Sequence, residues 1–537
     1  MKKIKNEMNK IGLVVFIILL GVGSIKAFSQ ETSGADLDVN TKPIAPVVST
    51  GDAAATTIAA KATTSAAASD KAESGSEKKS PSNAATSATT SATTTATTDA
   101  KVDFDINKAK AKKSLVAFPS LIFLGNSASV PSFNSIGTEL SRIINNDLTV
   151  SGFFQFVNPA AFLEDTSKTG IKPFPEDPKG FKFESWKTIG AEFLVRGSYT
   201  VAGENLTLEV FVYQVSKSKL MFGKKYKGTV GALRRIAHTF TNDFMQELTG
   251  AKGMFLSRIV VASDRGGNKY REIYVMDWDS ANIEKITNHK SVALSPSWSP
   301  DGQRVAYTAF VQRTKTKTRN ADLFVFELFT GKRWLVSYRE GINSGSNFAP
   351  DGKHIFLTLS QQGTPDIFKM TYDGTLVSKI TNGPRGAMNV EPAVSPDGTK
   401  IAFSSDRSGQ PMIYVMNVDG TNVQRKTFAG RYNSTPAWSP DGKRLAFAGW
   451  ENDHFDIFIM NADGTNMVRI TSSKKKNGKW ANNEDPVFSP DGRLLMYTSN
   501  RSGSSQIYIS DLEGEEERNI TNDSHNYFKP RWSNNFE

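Results

Sequence analysis

The feature that most constrains this chain is a turn that recurs at a nearly fixed interval. Ser299-Pro300-Asp301-Gly302, Ala349-Pro350-Asp351-Gly352, Ser395-Pro396-Asp397-Gly398, Ser439-Pro440-Asp441-Gly442 and Ser489-Pro490-Asp491-Gly492 stand 44 to 50 residues apart. Pro presets φ, Asp bonds back to its own backbone, and Gly takes the positive φ of a tight reversal. Before each turn comes an apolar residue (Trp298, Phe348, Val394, Trp438, Phe488), and after it a short alternating strand such as Lys400-Ile401-Ala402-Phe403-Ser404. A polar hairpin, a second strand and an Asp-Gly turn such as Asp419-Gly420 complete the unit. Four short strands cannot bury both faces alone, so repeats of this period are expected to stack around an axis as propeller blades.

The two ends of the repeat array predict how it closes. The first sheet, from Arg258 to Asp264, lacks an opening strand, and the last segment, Pro530-Arg531-Trp532-Ser533, is an opening strand without a sheet. A C-terminal strand that completes the first blade explains both, with Pro530 and Trp532 as ring-closure residues. The expected fold is multidomain: a small N-terminal α/β domain, then a six-bladed all-β propeller over residues 251–537.

Residues 1–29 read as a signal peptide: Lys2, Lys3, Lys5 and Lys10, an apolar run from Ile11 to Gly23, and small residues at Ala27 and Ser29. That run is short for a membrane span, so export to the periplasm is expected. Residues 30–100 are dominated by Ala, Thr and Ser, too poor in apolar surface to offset the entropy of ordering. They are read as a disordered tether, reaching about 45 Å as a flexible coil. Residues 101–250 form the α/β domain, led by an alternating strand Val102-Asp103-Phe104-Asp105-Ile106 that suits edge pairing. Its last helix carries Leu233, Ile236, Phe240, Phe244 and Leu248 at helical spacing and stops at Gly250.

Chemistry-bearing motifs are sparse. The formal net charge of +11 is moderate for 537 residues, and no nucleic-acid signature accompanies it. There is no cysteine, and the five histidines are dispersed without ligand spacing, so no metal or cofactor is expected. The Asp-rich turns lack the closing glutamate of a calcium loop and read as hairpin turns. No Gly-x-Ser-x-Gly elbow marks a hydrolase domain. The enzyme alternative that remains is a polysaccharide lyase or peptidase-like propeller acting in the central channel. Lys474-Lys475-Lys476 with Lys479 reads as a solvated tip, with attraction to anionic lipid or peptidoglycan as its alternative.

The leading segment, the small α/β domain, the helix ending Glu247-Leu248-Thr249-Gly250-Ala251-Lys252-Gly253, the six repeats and the closing Pro530-Arg531-Trp532-Ser533 together resemble the TolB family. These are periplasmic components of the Tol-Pal envelope system, and the likeness covers about residues 102 to 537. The propeller turns alone recur in other propellers, including those of prolyl oligopeptidases; the domain order and the helix-to-propeller joint make the likeness specific. It implies a non-enzymatic, monomeric adaptor supporting outer-membrane integrity and constriction at division. It further implies docking of a Pal-type peptidoglycan-associated lipoprotein on the propeller over the channel, with other outer-membrane proteins as further partners. A TolA-type inner-membrane protein would bind the N-terminal segment, matched here by Val102, Phe104 and Ile106. The chain departs from the family by placing the Ala/Thr/Ser tether ahead of that segment. For the Pal-type partner, the start of each innermost strand is expected at the channel mouth: Ser295, Asn347, Glu391, Thr435, Asp485 and Lys529. Arg385, Arg431 and His525 stand in the preceding loops, and Tyr432, Trp480 and Tyr527 are candidate aromatic anchors.

Overall fold

The computed structural model describes residues 56–57, 112–125, 130–267, 269–312, 318–361 and 363–536. Residues 1–29, read as a signal peptide, nearly all of the 30–100 segment and residues 102–106, expected as a leading strand, lie outside the described residues. The chain forms two compact units divided at Gly250–Ala251.

In the N-terminal unit, strands Phe193–Ala202, Asn205–Gln214 and Lys219–Thr229 form an antiparallel meander. Ser114–Ala117 joins its Phe193–Ala202 edge in parallel and is itself flanked by Phe154–Phe156. At the other edge, Thr56–Thr57 pairs antiparallel with Lys224–Lys225. Two helices, Val130–Val150 and Leu233–Thr249, supply apolar faces: Leu140, Ile143, Ile144 and Leu148 on one, and Ile236, Phe240 and Phe244, expected from the sequence, on the other, all buried. Phe244 stacks on Phe154 at 5.1 Å, which fixes the second helix on the sheet. Gly250 ends that helix with φ +80, a left-handed cap any Cβ would strain. Arg196 is buried in the sheet; its Nη2 donates to the carbonyls of Thr169 (2.6 Å) and Gly170 (3.1 Å), tying down the 164–171 loop.

The second unit is a closed ring of six four-stranded sheets. Blade 2 is representative: Ala293–Trp298 innermost, then Arg304–Gln312, Arg319–Glu327 and outermost Arg333–Ser337. Blade 1 takes its innermost strand from the C-terminus, Tyr527–Asn535, which pairs antiparallel with Ser257–Ser263 in the register Trp532↔Ile259. Trp532 is 8% exposed, and its indole donates to Ser257 Oγ at 2.6 Å. The ring is thus closed as the unpaired first and last segments require.

Turn chemistry is repeated at each blade. In Ser439-Pro440-Asp441-Gly442, Ser439 Oγ donates to Asp441 Oδ1 (2.5 Å) and accepts from Arg444 N (2.9 Å), while Gly442 has φ +69. In blade 3, where alanine replaces serine, Asp351 bonds His354 instead, through both its backbone N (3.0 Å) and Nδ1 (2.6 Å). The other Asp turns are satisfied in the same local manner: Asp463 Oδ1 accepts Thr465 N (2.9 Å) and Oγ1 (2.7 Å). Between blades the apolar faces interdigitate, as where Val260, Ala262, Ile273 and Val275 of blade 1 meet Val305 and Tyr307 of blade 2. Trp298 and Trp438 reinforce this by donating to the previous blade's innermost strand, at Arg531 O and Ala393 O, both 3.0 Å. Among the described residues no helix is long and apolar enough to cross a membrane.

Candidate docking face and channel

The six innermost strands share one irregularity. In each, two residues oppose a single residue of the next strand, a β-bulge between Leu294/Ser297, Ser344/Asn347, Val390/Ala393, Ser434/Ala437, Glu484/Val487 and Phe528/Arg531. The first bulged residue has positive φ every time: Ser295 (51°), Gly345 (62°), Glu391 (56°), Thr435 (50°), Asp485 (59°) and Lys529 (49°). Five of the six are followed by proline, which has no N–H to leave unpaired at a bulge. The result is a six-membered ring of bulge residues around the axis. Asn347, expected in that ring, is two residues out of register. Gly345 holds the position, and Asn347 Oδ1 instead accepts Val394 N of the next blade at 3.0 Å. The sequence misled because this blade has Ser346 where the others have proline.

Polar chemistry concentrates at one level of the channel. Lys529 of blade 1 reaches across the axis to Glu391 of blade 4, the blade directly opposite, with Nζ 3.2 Å from Oε1. The same ammonium lies 3.1 Å from Asp485 Oδ1 of blade 6. Glu391 Oε2 also accepts Thr435 N of blade 5 at 2.9 Å. One ammonium therefore links three blades. Burial alone would lower the Lys529 pKa, but the Asp485 and Glu391 carboxylates outweigh it and hold the group above its ordinary range. Glu484 makes no ion pair among the described residues. Burial, then Asp485 and Glu391, push its carboxyl up to about 8 against the opposing pull of Lys529. Burial likewise lowers the Arg531 pKa, opposed by Asp485 and Glu391.

Ser295, Glu391, Thr435, Asp485 and Lys529 are thus channel-lining residues that are largely buried, and three of them are committed to one another. Tyr527 is buried, bonded through its hydroxyl to Arg265 and Asp523, and Tyr432 packs edge-on against Phe455, so neither is an exposed anchor. Strand direction puts every inter-blade loop on the same face, and there Arg385 and Arg431 are exposed, with His525 half-buried. On that face stand aromatics that sequence reading missed: Phe428, 74% exposed with Arg425 4.9 Å from its ring, and Tyr338, 63% exposed. The available signal was an aromatic placed directly after the Ser337 or Thr427 that ends a blade. Glu484, also missed, was signalled by its adjacency to Asp485.

In five blades a threonine locks these loops. Thr381 Oγ1 accepts Ile367 N (2.9 Å) and donates to Asp366 (2.7 Å), which also accepts from Asn389 of the next innermost strand (2.9 Å). Thr471, Asp456 and Asn483 repeat the arrangement two blades on. A loop tied at both ends by buried hydrogen bonds presents its side chains on a rigid base.

Comparison with known proteins agrees with this architecture. The family model described as TolB beta propeller domain matches residues 245–437 and 432–537, and that described as TolB amino-terminal domain matches residues 102–221. A Tol-Pal system protein TolB from Desulfosudis oleivorans is 36% identical over 239 residues, 44% of this chain and 51% of its own length. One from Syntrophotalea carbinolica is 37% identical over 171 residues, 32% of this chain and 38% of its own length. The matches thus span about half or less of these relatives. The crystal structure of TolB from Acinetobacter baumannii shares the fold, with a TM-score of 0.64 at 22% identity over 80% of this chain and 98% of that one. With the propeller model alone matching more than half of its residues, and the amino-terminal model preceding it in the same order, the chain belongs to the TolB family.

Proposed function

We propose that this protein is a non-enzymatic periplasmic adaptor of the Tol-Pal envelope system. Its propeller docks a Pal-type peptidoglycan-associated lipoprotein, and its N-terminal segment, including Val102, Phe104 and Ile106, engages a TolA-type inner-membrane protein. Together these contacts support outer-membrane integrity and constriction at division. Family membership supports the reading, and the observation that carries it is the rigid loop face with its exposed Tyr338, Arg385, Phe428 and Arg431. Exposed aromatics and arginines on a fixed frame are the residue types that dominate binding energy at protein interfaces. The channel, by contrast, offers little to a substrate, because Lys529, Glu391 and Asp485 are buried and paired with one another. That disfavours a lyase or peptidase-like enzyme.

The test is calorimetric titration of the mature protein with the soluble domain of the cell's own Pal-type lipoprotein. Binding in the micromolar range or tighter is expected, weakened at least tenfold by Phe428→Ala combined with Arg431→Glu. Absence of binding, or an unchanged affinity in that variant, overturns the docking reading. A pull-down of the TolA-type protein, lost when residues 102–106 are deleted, tests the second partner.

A further inference from the structure

The loop between blades 5 and 6 differs from its counterparts. Thirteen residues separate Val468–Arg469 from Asn483–Phe488, against five to nine at the other blade junctions. It carries Lys474, Lys475, Lys476 and Lys479 and no acidic residue. The loop is ordered as a small hairpin. Lys474 and Trp480 form an antiparallel bridge, Ala481 N donates to Ser473 O (3.0 Å), and Lys475 N donates to Lys479 O (2.8 Å). Gly478 closes the tip at φ +79. Its base is anchored: Trp480 stacks flat on the buried His454, with ring centroids 4.8 Å apart and planes within 2°. His454 Nε2 lies 2.8 Å from the buried Asp456. Lys474 Nζ sits 4.6 Å from the indole centroid, and the four lysines form no ion pair among the described residues. Trp480 remains 42% exposed.

We propose that this hairpin is a binding site for a carboxylate-bearing glycan strand. Four unneutralised ammonium groups within six residues create a field that a surface carboxylate would have cancelled. The exposed indole at their root gives a pyranose ring an apolar surface beside the charges that hold the carboxylates borne on the same polymer, including those of attached peptides. The tip, Lys475-Lys476-Asn477-Gly478, has no apolar side chain to enter a bilayer, which favours a polar polymer over a lipid surface. This goes beyond the adaptor reading and does not rest on it.

The test is co-sedimentation of the full chain with peptidoglycan sacculi stripped of all protein, in parallel with vesicles rich in anionic phospholipid. Pelleting with sacculi is expected, falling steeply between 50 and 500 mM salt. The variant with all four lysines changed to glutamine should lose at least fivefold of the bound fraction at low salt. Trp480→Ala should lose two- to threefold and keep the salt dependence, and the lysine variant, which removes no packed side chain, should melt as the parent does. Sacculi that fail to pellet the protein, pelleting unaffected by the lysine changes, or stronger binding to the vesicles would each overturn the proposal. Because the calorimetric titration with the lipoprotein domain is independent, failure here leaves the docking reading standing.

Discussion

Replacing Lys529 by methionine isolates the cross-channel link. The change keeps most of the side-chain volume but removes the ammonium that lies 3.1 Å from Asp485 and 3.2 Å from Glu391. The three side chains are at most 9% exposed, so solvent cannot take over its role cheaply. Removing one partner of a buried ion pair costs about 3–5 kcal/mol, because a charge stays buried without compensation. At about 2 °C per kcal/mol for a unit of this size, the propeller should melt roughly 6–10 °C lower. Intrinsic fluorescence reports the right unit, since only Trp186 among the eight tryptophans lies outside the propeller. In the parent, the folded pKa of Lys529 is raised above the unfolded one, so its contribution is fully present below about pH 10 and is lost only as pH rises beyond that. The deficit should therefore be present in full at pH 7.5. A gap below about 2 °C at pH 7.5 would refute the claim that this ammonium bears on ring stability.

Three further outcomes follow from the same frame. Glu484 has a folded pKa near 8, so the parent should lose stability as pH climbs from about 5 to 8, and Glu484→Gln should flatten that slope in urea titrations. Thr435 is a β-branched residue held at φ +50, so Thr435→Gly should relieve about 1 kcal/mol of backbone strain and raise the melting temperature slightly; a clear drop would mean its side chain matters more than its backbone. Trp532→Ala removes a buried indole and its bond to Ser257, and should cost about 3–5 kcal/mol by chemical denaturation; a loss under 1 kcal/mol would mean that ring closure does not depend on it.

How far the sequence could be read depended on whether a property is local. The turns Ser-Pro-Asp-Gly are self-contained, since serine, aspartate and glycine satisfy one another within four residues, so the repeat and its period were legible without a fold. Ring closure was legible because an opening strand at Pro530–Trp532 and a sheet lacking one at Arg258–Asp264 are complementary deficits. The channel was another matter. That Lys529 faces Glu391 follows only from the angular spacing of blades 1 and 4, and 138 residues separate them. Their types were visible, but their pairing, and hence their withdrawal from any docking surface, was not. Asn347 failed for a related reason: the bulge is a backbone register, and proline is only its usual companion. Where Ser346 stands in for proline, Gly345 still takes the positive φ, so conformational demand identifies the ring position and the motif does not. The exposed loop residues were partly legible for the opposite reason. Arg385 and Arg431 sit in loops that any closed propeller must turn outward, whereas Tyr338 and Phe428 resemble core aromatics until the blade end beneath them is located.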